Sequence, residues 1–297
     1  MKGAPMNKLI KFIILQGSIV LKPAQNFFDT LQPEDTPKSR NIIFRGLFDE
    51  IKDRKKLEVS QRISEYIIMF HQCLHDDLLH FQLAKKTEVE IIKASEHQFD
   101  TIKEDSYPYI NLFVNLTSQR LLLELNPNII IEDSLLNTVQ KLFSNILKYK
   151  NYSLYFTIID DVKEFWDITK DGNIKEIEFD LIAPNGGFWG NNNQAKDFAK
   201  DTKDKLNADE TKIVFKNKNG NMNVSMDFLD SLVTYSSKAG SWKLKIRKDG
   251  KQRIIKSVDF SKKVEIESTI LDAIVEHSKN PSESISTIIT DLINKSN

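Results

Sequence analysis

The sequence is poor in cysteine and in long apolar runs. Cys73 is the single cysteine among 297 residues, which excludes a disulfide within the chain and is typical of proteins from a reducing compartment. Near the N-terminus the unbroken apolar run is residues 12–15. It is far shorter than the ~20 residues of a membrane-spanning helix, and no small-residue cleavage site follows it. We therefore expect a cytoplasmic protein without membrane insertion.

Signatures of catalysis and of cofactor binding are also missing. The chain has neither a G-x-G-x-x-G motif nor a Walker lysine, so a nucleotide-cradling loop is not indicated. Residues 70–81 (FHQCLHDDLLHF) contain side chains of metal-ligand type, but their spacing matches no recurrent zinc pattern. We expect no bound metal and no cofactor, and the sequence favours a binding role over an enzyme.

The chain does contain enough apolar material for packed cores. Apolar residues make up 40% of it and charged residues 28%, with no formal net charge, which excludes a disordered protein. The length fits two domains of ordinary size. We predict an α+β fold of two mixed α/β units, with antiparallel-rich sheets and packed helices. The N-terminal unit covers residues 1–160, an acidic, turn-rich linker covers 161–173, and the C-terminal unit covers 174–297.

Apolar periodicity and turn residues predict the individual elements. Strands are predicted over residues 8–22, 77–84, 88–93, 109–116, 120–125, 152–159, 174–183 and 212–216. The strands over 77–84 and 88–93 are predicted to pair with each other. Helices are predicted over residues 134–149, 193–206, 225–236, 264–278 and 282–295. Residues 46–72 are predicted to be helical or mixed, because Ile63, Ile67 and Phe70 fall at helical spacing, and residues 32–40 to be a loop.

Positive charge is concentrated near the C-terminal end of the chain. Between Lys238 and Lys263 there are ten Lys or Arg residues and two Asp, a net charge of +8. Such a local field attracts an anionic partner, above all a nucleic acid. Residues 241–260 (SWKLKIRKDGKQRIIKSVDF) predict a β-hairpin, because Asp249-Gly250 is a strong two-residue turn signal.

The turn also predicts the register of this basic hairpin, with Leu244 opposite Ile255 and Lys243 opposite Lys256. Alternation along the strands then divides the side chains between an apolar face (Trp242, Leu244, Ile246, Ile255) and a polar face (Lys243, Lys245, Arg247, Gln252, Lys256). Because like charges directly opposite each other are destabilising, the polar face is suited to an anion. The alternative is a solvated face whose lysines prevent edge-to-edge aggregation.

We predict that these cations bind nucleic-acid phosphates, most simply those of double-stranded DNA, largely without sequence preference. The predicted contact residues are Lys243, Lys245, Arg247, Lys248, Lys251, Arg253, Lys256, Lys262 and Lys263. Trp189, in the turn-rich residues 184–194, is added as a group that could stack on a base. The alternative for this tryptophan is packing against a neighbouring core, which aromatic residues provide more often.

Two other functions are compatible with the sequence. Asp180, followed at a distance by Glu210 and Lys212, is similar to the acid-then-E-x-K arrangement of metal-dependent nucleases, so the alternative is a nuclease or toxin effector that uses these three residues. In the second alternative the basic hairpin meets an acidic protein subunit. Convergence of Asp180 and Glu210 on one metal would distinguish the enzyme from a binding module.

The order of the elements resembles that of bacterial and phage-borne anti-phage defence proteins, the phage-exclusion group that includes RexA and KwaB. A strand-rich N-terminal half precedes a helix after Asn126-Pro127, a strand ending in Ala183-Pro184-Asn185, a polar helix and the basic hairpin. Residue by residue, only Pro184-Asn185 and the basic stretch 243–256 match in kind. The resemblance implies DNA binding, a homodimer, a partner protein from the same defence system, and a role in abortive or defensive responses to phage.

Overall fold

The computed structural model describes residues 8–22, 36–61, 64–94, 99–147, 151–170, 173–183, 194–206, 208, 210–220, 222–224, 226–276 and 283–294. Its fold is α+β, which confirms the predicted class. The strands are β1 (Leu9–Leu21), β2 (Lys56–Gln61), β3 (Ser64–His75), β4 (Leu78–Lys85), β5 (Thr87–Ala94), β6 (Phe99–Ser106), β7 (Tyr109–Asn115), β8 (Arg120–Glu124), β9 (Tyr152–Ile158), β10 (Asn173–Ile182), β11 (Glu210–Lys216), β12 (Gly240–Lys248), β13 (Lys251–Lys256) and β14 (Lys263–Glu267). The helices are α1 (Pro37–Arg54), α2 (Leu135–Ile146), α3 (Val162–Lys170), α4 (Gln194–Leu206), α5 (Asp227–Ala239), α6 (Ser268–Glu276) and α7 (Glu283–Asn294).

An antiparallel sheet of eight strands is built around β1. The strand order is β14, β1, β8, β7, β4, β3, β2, and β9 also pairs with β1. With 13 residues, β1 is long enough to hold two strands along one edge. Its residues 9–13 pair with β14 and its residues 15–21 with β9, while β8 pairs along the other edge. One strand therefore joins three parts of the sequence that are far apart.

Helices cover both faces of the eight-stranded sheet. On one face α1 and α2 pack around a core that includes Phe44, Phe48 and Phe143. On the other face α6 and α7 pack against Phe12 and Phe113. Burial on both faces explains why β1, β7 and β8 are almost continuously buried instead of alternating.

Side-chain hydrogen bonds hold α6 and α7 on this sheet. Buried Gln72 of β3 donates from Nε2 to the carbonyl of Ile274 in α6 at 2.6 Å. Buried Arg120 of β8 donates from Nη1 to the carbonyl of Ile293 at 3.1 Å. This carbonyl lies in the last turn of α7, where a cation is favoured by the helix dipole. Both contacts pair a buried polar side chain with a carbonyl near the C-terminal end of a helix.

A second antiparallel sheet has four strands in the order β11, β10, β12, β13. Helices α3, α4 and α5 pack on its inner face around a separate core. Exposure alternates along β11 and β12, as expected of a sheet that packs on one face and meets solvent on the other. We call the solvated side, which carries Glu178, Lys212, Lys243 and Lys256, the outer face.

Residues 46–72, predicted to be helical or mixed, are divided between a helix and two strands. Helix α1 ends at Arg54, and Ile67 and Phe70 lie in β3. Strand β3 pairs with β2 on one side and with β4 on the other. This pairing overrides the apparent helical spacing, which a short apolar run satisfies by chance.

Helix α1 begins inside residues 32–40, which were predicted to be a loop. The side chain of Thr36 accepts a hydrogen bond from the backbone N–H of Ser39 at 3.1 Å, and the side chain of Ser39 accepts one from the backbone N–H of Thr36 at 3.0 Å. This reciprocal capping box stabilises the first turn. Among the described helices α1 is the longest, at 18 residues, and none of them has the combination of length and apolar composition needed to cross a membrane.

The predicted linker, residues 161–173, contains helix α3. Its Phe165 is fully buried, and the ring lies 5.2 Å from that of Trp242. Residues 264–278, predicted to be a helix, begin in β14, which pairs with β1, and continue as α6. Part of the predicted C-terminal unit therefore completes the eight-stranded sheet, and the division into units 1–160 and 174–297 stays a prediction.

Strands β4 and β5 are present where the sequence predicts them, but they are not partners. Strand β4 pairs with β3 and β7, whereas β5 pairs with β6 in a separate two-stranded ribbon. Much of this ribbon is exposed, including Ile92 at 69%. The sequence indicated the strands through their composition, and the pairing depends on β7, which follows β6 in the chain.

Candidate nucleic-acid interface

The basic hairpin formed by β12 and β13 has the predicted register. Leu244 lies opposite Ile255, and Lys243 lies opposite Lys256. In the turn Asp249-Gly250 the backbone φ angles are 52° and 76°. Positive φ at both central positions is what a type I′ turn requires, and this turn matches the twist of the two strands.

The base of the hairpin is anchored in the core of the second sheet. Trp242, Leu244 and Ile246 are buried on the inner face, as predicted. The Trp242 ring stacks on Phe260 with centroids 6.0 Å apart, and its backbone N–H donates to Ser257 Oγ at 3.3 Å. The hairpin therefore has a fixed position relative to α3, α4 and α5.

The tip of the hairpin projects beyond this base. The last buried residue of β12 is Ile246, and residues 247–253 are all exposed. Pairing between β12 and β10 reaches only to Arg247, which lies opposite Asn173. At the apex, a Cβ added to Gly250 would meet no atom within 4 Å. The end of the hairpin is therefore a narrow two-stranded ribbon that solvent reaches from both sides.

Most cations of the hairpin have no carboxylate partner. Within the part of the chain that the structure describes, no ion pair is formed by Lys245, Arg247, Lys248, Lys251, Arg253 or Lys256. A lysine or arginine that already has an internal partner loses that contact when it binds a phosphate. Exposed cations without ion pairs bind phosphates with little such loss, and binding releases the counterions that surround the nucleic acid. Arg247 has one internal contact, a hydrogen bond from Nε to the carbonyl of Gly250 at 3.4 Å.

An acidic row on β10, formed by Glu176, Glu178 and Asp180, lies beside β12 on the outer face. Its central member, Glu178, lies opposite Lys243. The carboxylate of Glu178 is 2.7 Å from Nζ of Lys212 in β11 and 3.7 Å from Nζ of Lys243. The hydrogen bond from Lys212, with the charge of Lys243 adding to it, holds the pKa of Glu178 below its usual value. Glu178 is therefore ionised at neutral pH.

This carboxylate changes the interpretation of the opposed lysines. From the hairpin alone, the Lys243–Lys256 opposition suited an external anion over this face, with a solvated face as the alternative. Glu178 supplies one negative charge from within the protein, so Lys243 does not depend on an external partner. Sequence reasoning missed this contact because β10 and β12 are separated by more than 50 residues. Glu176 likewise lies opposite Lys245 but is paired with Lys216, so the uncompensated positive charge lies mainly on β13, on the tip and at Arg247.

The three residues of the nuclease alternative share the outer face. Asp180 lies opposite Lys212, and Glu210 lies opposite Ile182. Nζ of Lys212 is 2.7 Å from Glu178 and 3.6 Å from Asp180, so it neutralises carboxylates. Among the described residues, no group of three or more His, Cys, Asp or Glu could hold a metal ion. These contacts give the nuclease alternative no support, and it stays a prediction.

Three predicted contact residues do not belong to the hairpin or cannot be placed. The backbone N–H of Lys262 donates to the carbonyl of Ile159 at 2.9 Å. Lys263 lies in β14, and its Nζ is 2.5 Å from the carboxylate of Glu132. Both lysines therefore belong to the edge of the eight-stranded sheet. Trp189 lies outside the described residues.

The histidine-rich segment 70–81 contributes to packing of the eight-stranded sheet. His80 is fully buried, its Nε2 is 2.9 Å from Oδ1 of Asn111, and its ring stacks on Phe113. Burial lowers the pKa of His80 to about 4, so the ring is neutral at pH 7. Asp77, at the turn after β3, accepts a hydrogen bond from the Thr117 hydroxyl at 2.7 Å.

Asp160, the last residue of the predicted N-terminal unit and next to the predicted linker, is a buried carboxyl group near Trp242 of the second sheet. Its residue is 6% exposed, and its backbone forms a bridge with Ser261. Neither carboxylate oxygen has a hydrogen-bond partner in the described part of the chain, and the same holds for Nε1 of Trp242 and Oγ of Ser261. Burial raises the pKa of Asp160 to about 7, and the charge of Asp161 adds to this effect. The indole N–H of Trp242, close by but outside hydrogen-bond geometry, opposes it.

Comparison with known proteins yields no relative: no protein-family model matches the chain, and no curated protein or solved structure is significantly similar to it.

Proposed function

We propose that this protein binds double-stranded DNA through the basic hairpin, largely without regard to sequence. The proposal depends on one observation: six cations without ion pairs, five of them exposed and Lys245 half-buried, lie on a single projecting hairpin. Phosphate contacts of Lys and Arg supply most of the affinity in sequence-independent binding. Six contacts correspond to a slope of about −5 in log affinity against log salt concentration.

The acidic row limits where DNA would lie. Glu176, Glu178 and Asp180 on β10 repel phosphates, and Lys212 and Lys216 on β11 are already paired with these carboxylates. The duplex would therefore cross β12, β13 and the hairpin tip and would not extend over β10 and β11. A narrow footprint of this kind contacts phosphates over a short length of duplex.

The proposed biological role is phage defence or exclusion, and it is supported by the resemblance of the element order to that group of proteins. A homodimer and a partner protein from the same system are parts of the same proposal. Expression of the chain in a phage-sensitive host, with plaque counts for wild type and for the hairpin variant below, tests this role. Equal plaque counts with and without the wild-type protein would exclude a defensive role under those conditions.

The DNA-binding proposal is tested by replacing Lys245 and Arg247 with Ala. Both side chains lie on the outer face and form no ion pair in the described part of the chain, so we expect an unchanged melting temperature. Affinity for mixed-sequence duplex DNA is measured across a salt series, and the double variant should reduce the salt slope by about two.

The matched control replaces two lysines of α4, Lys200 and Lys205, which are exposed and lie on the helix that packs on the inner face. It removes the same charge from the chain and should leave the slope unchanged. Equal slopes for wild type, hairpin variant and control would show that the hairpin is only a solvated surface.

A further inference from the structure

We infer that the tip of the basic hairpin enters the major groove of B-form DNA, so that the ligand is duplex DNA in B form and not duplex RNA. This inference rests on the proposed function and adds to it the form of the nucleic acid and the way it is held. The tip consists of residues 247–253, which are exposed on both sides of the two-stranded ribbon.

The dimensions of the tip fit this groove. Three residues separate Ile246, the last buried residue of β12, from Gly250 at the turn. At about 3.3 Å per residue the ribbon extends roughly 10 Å beyond the core. The major groove of B-form DNA is about 8.5 Å deep and about 12 Å wide, and it admits a two-stranded β-ribbon. Gly250 places backbone without a side chain at the apex, where the approach to the groove floor is closest.

The charges of the tip are distributed over both of its faces. Lys248 lies opposite Lys251, and Arg253 lies opposite the buried Ile246, so these three follow the inner face of the ribbon beyond the core. Arg247 follows the outer face, opposite Gln252. A ribbon in a groove has one phosphate backbone on each side, and cations on both faces suit that arrangement better than a flat contact.

The single acid of the tip also favours entry into the groove. Asp249 occupies the first turn position, next to the apex, and is exposed. A carboxylate pressed against a phosphate backbone would be repelled. The floor of the major groove instead presents the amino groups of cytosine and adenine, which a carboxylate accepts from.

Duplex RNA offers a different groove. In the A form the major groove is deep and narrow and cannot be entered by side chains. The same phosphates are present, so a protein that only binds charge would not distinguish the two duplexes strongly. A ribbon tip of this width should therefore bind duplex DNA tightly and duplex RNA weakly.

The experiment measures fluorescence anisotropy of the full chain with three duplexes of one sequence and length at about 100 mM salt. They are DNA, RNA, and DNA in which each cytosine carries a glucosylated 5-hydroxymethyl group, which fills the major groove and leaves the phosphates in place. We expect binding to RNA and to glucosylated DNA to be weaker than binding to plain DNA by tenfold or more. Replacing Lys248 and Lys251 with Gln should reduce this preference, whereas the control at Lys200 and Lys205 should not.

The outcomes separate the inference from the proposed function. Salt-dependent binding that is equal on all three duplexes overturns entry into the groove and leaves phosphate binding intact. Absence of binding to every duplex overturns both. The comparison of plain and glucosylated DNA uses the wild-type protein, so the result does not depend on whether a variant folds.

Discussion

The two main sheets are both antiparallel, but they differ in how many of their faces are exposed to water. In the eight-stranded sheet helices cover both faces, and Phe81 and Phe113 on β4 and β7 are fully buried. In the four-stranded sheet helices cover the inner face, where Phe179 is fully buried, while the outer face carries charged side chains.

The comparison shows where a polar group must be satisfied by the protein itself. His80 lies inside the doubly covered sheet, and its Nε2 has a fixed partner, Asn111, which in turn donates from Nδ2 to Glu124 at 2.7 Å, whereas its Nδ1 has no hydrogen-bond partner among the described residues. On the outer face of the second sheet Lys245 has no such partner among the described residues. The first sheet is therefore covered on both faces, whereas the second exposes charged groups to solvent, where the proposed DNA would meet them.

The largest difference between the sheets should appear when a buried ring is removed. Phe113→Ala empties a site that is fully buried and packed against His80 and Phe12. We expect a loss of about 3–5 kcal/mol in the free energy of unfolding, measured by urea denaturation. Val214→Ala on the outer face, where the side chain is 39% exposed, should cost about 1 kcal/mol or less. Similar losses for the two variants would contradict the difference in burial.

The junction of the two sheets should show a pH dependence caused by Asp160. Its pKa is about 7 in the folded protein, compared with 3.8 for an ordinary aspartate, so the folded state binds the proton more tightly than the unfolded chain does. Stability contributed by the neutral carboxyl is therefore lost as pH rises from about 4 to about 7. Asp160→Asn should stabilise the protein at pH 8 by up to roughly 4 kcal/mol and have little effect at pH 4.

Thermal or urea unfolding at several pH values checks this prediction. The control is Asp53→Asn, because Asp53 is an exposed acid near the end of α1 and is not among the groups that shift the pKa of Asp160. If Asp160→Asn changed stability by the same amount at pH 4 and at pH 8, the buried carboxyl would not titrate as described.

A smaller effect with the opposite pH dependence is expected inside the eight-stranded sheet. Burial lowers the pKa of His80 from 6.5 to about 4, so the unfolded chain takes up a proton first. Stability is then lost as pH falls from about 6.5 to about 4, by roughly 3 kcal/mol at the lower value. His80→Gln keeps a donor for Asn111 but does not titrate, and it should remove this acid sensitivity. His75→Gln, at an exposed position, should leave the loss of stability at low pH unchanged.

The smallest effect on stability, with a measurable effect on binding, is expected on the outer face. Glu178→Gln removes the carboxylate that contacts Lys212 and Lys243. The free energy of unfolding should change by about 1 kcal/mol or less. Affinity for duplex DNA should rise several-fold at low salt, and the salt slope should become steeper by about one, because Lys243 gains a phosphate contact. Glu210→Gln, an exposed acid of β11 without contact to Lys243, is the control. Unchanged binding for Glu178→Gln would place the DNA away from β12.

The features that depend on neighbouring residues could be predicted from the sequence. The Asp249-Gly250 turn predicted the Lys243–Lys256 and Leu244–Ile255 pairs because the turn and both strands of the hairpin lie within 20 residues. The predicted strand over residues 8–22 corresponds to β1, and the predicted strand over residues 152–159 corresponds to β9. In these segments the apolar residues are the buried ones, so the strands can be recognised from the sequence.

The features that depend on distant residues could not be predicted. The local sequence predicts a helix where β14 forms, because the partner of this strand, β1, lies more than 200 residues away. Which cations of the basic segment lack a partner depends on Glu178 and Glu132, and no local pattern identifies these acids as neighbours. The buried position of Asp160 likewise results from the meeting of two cores, and the sequence there reads as ordinary linker charge.

The shared edge of β1 also determines the order in which the nascent chain can complete its sheet. Leu15 pairs with Ile158, and Leu9 pairs with Glu267. Translation proceeds at about 5–20 residues per second, so the second half of β1 is synthesised roughly 7–30 s before its partner β9. The first half waits about 5–20 s longer, until β14 has been synthesised. An unpaired strand edge invites association with other chains, and a lysine on that edge opposes it. Lys11 lies in the half that waits longer, where protection during synthesis is needed most.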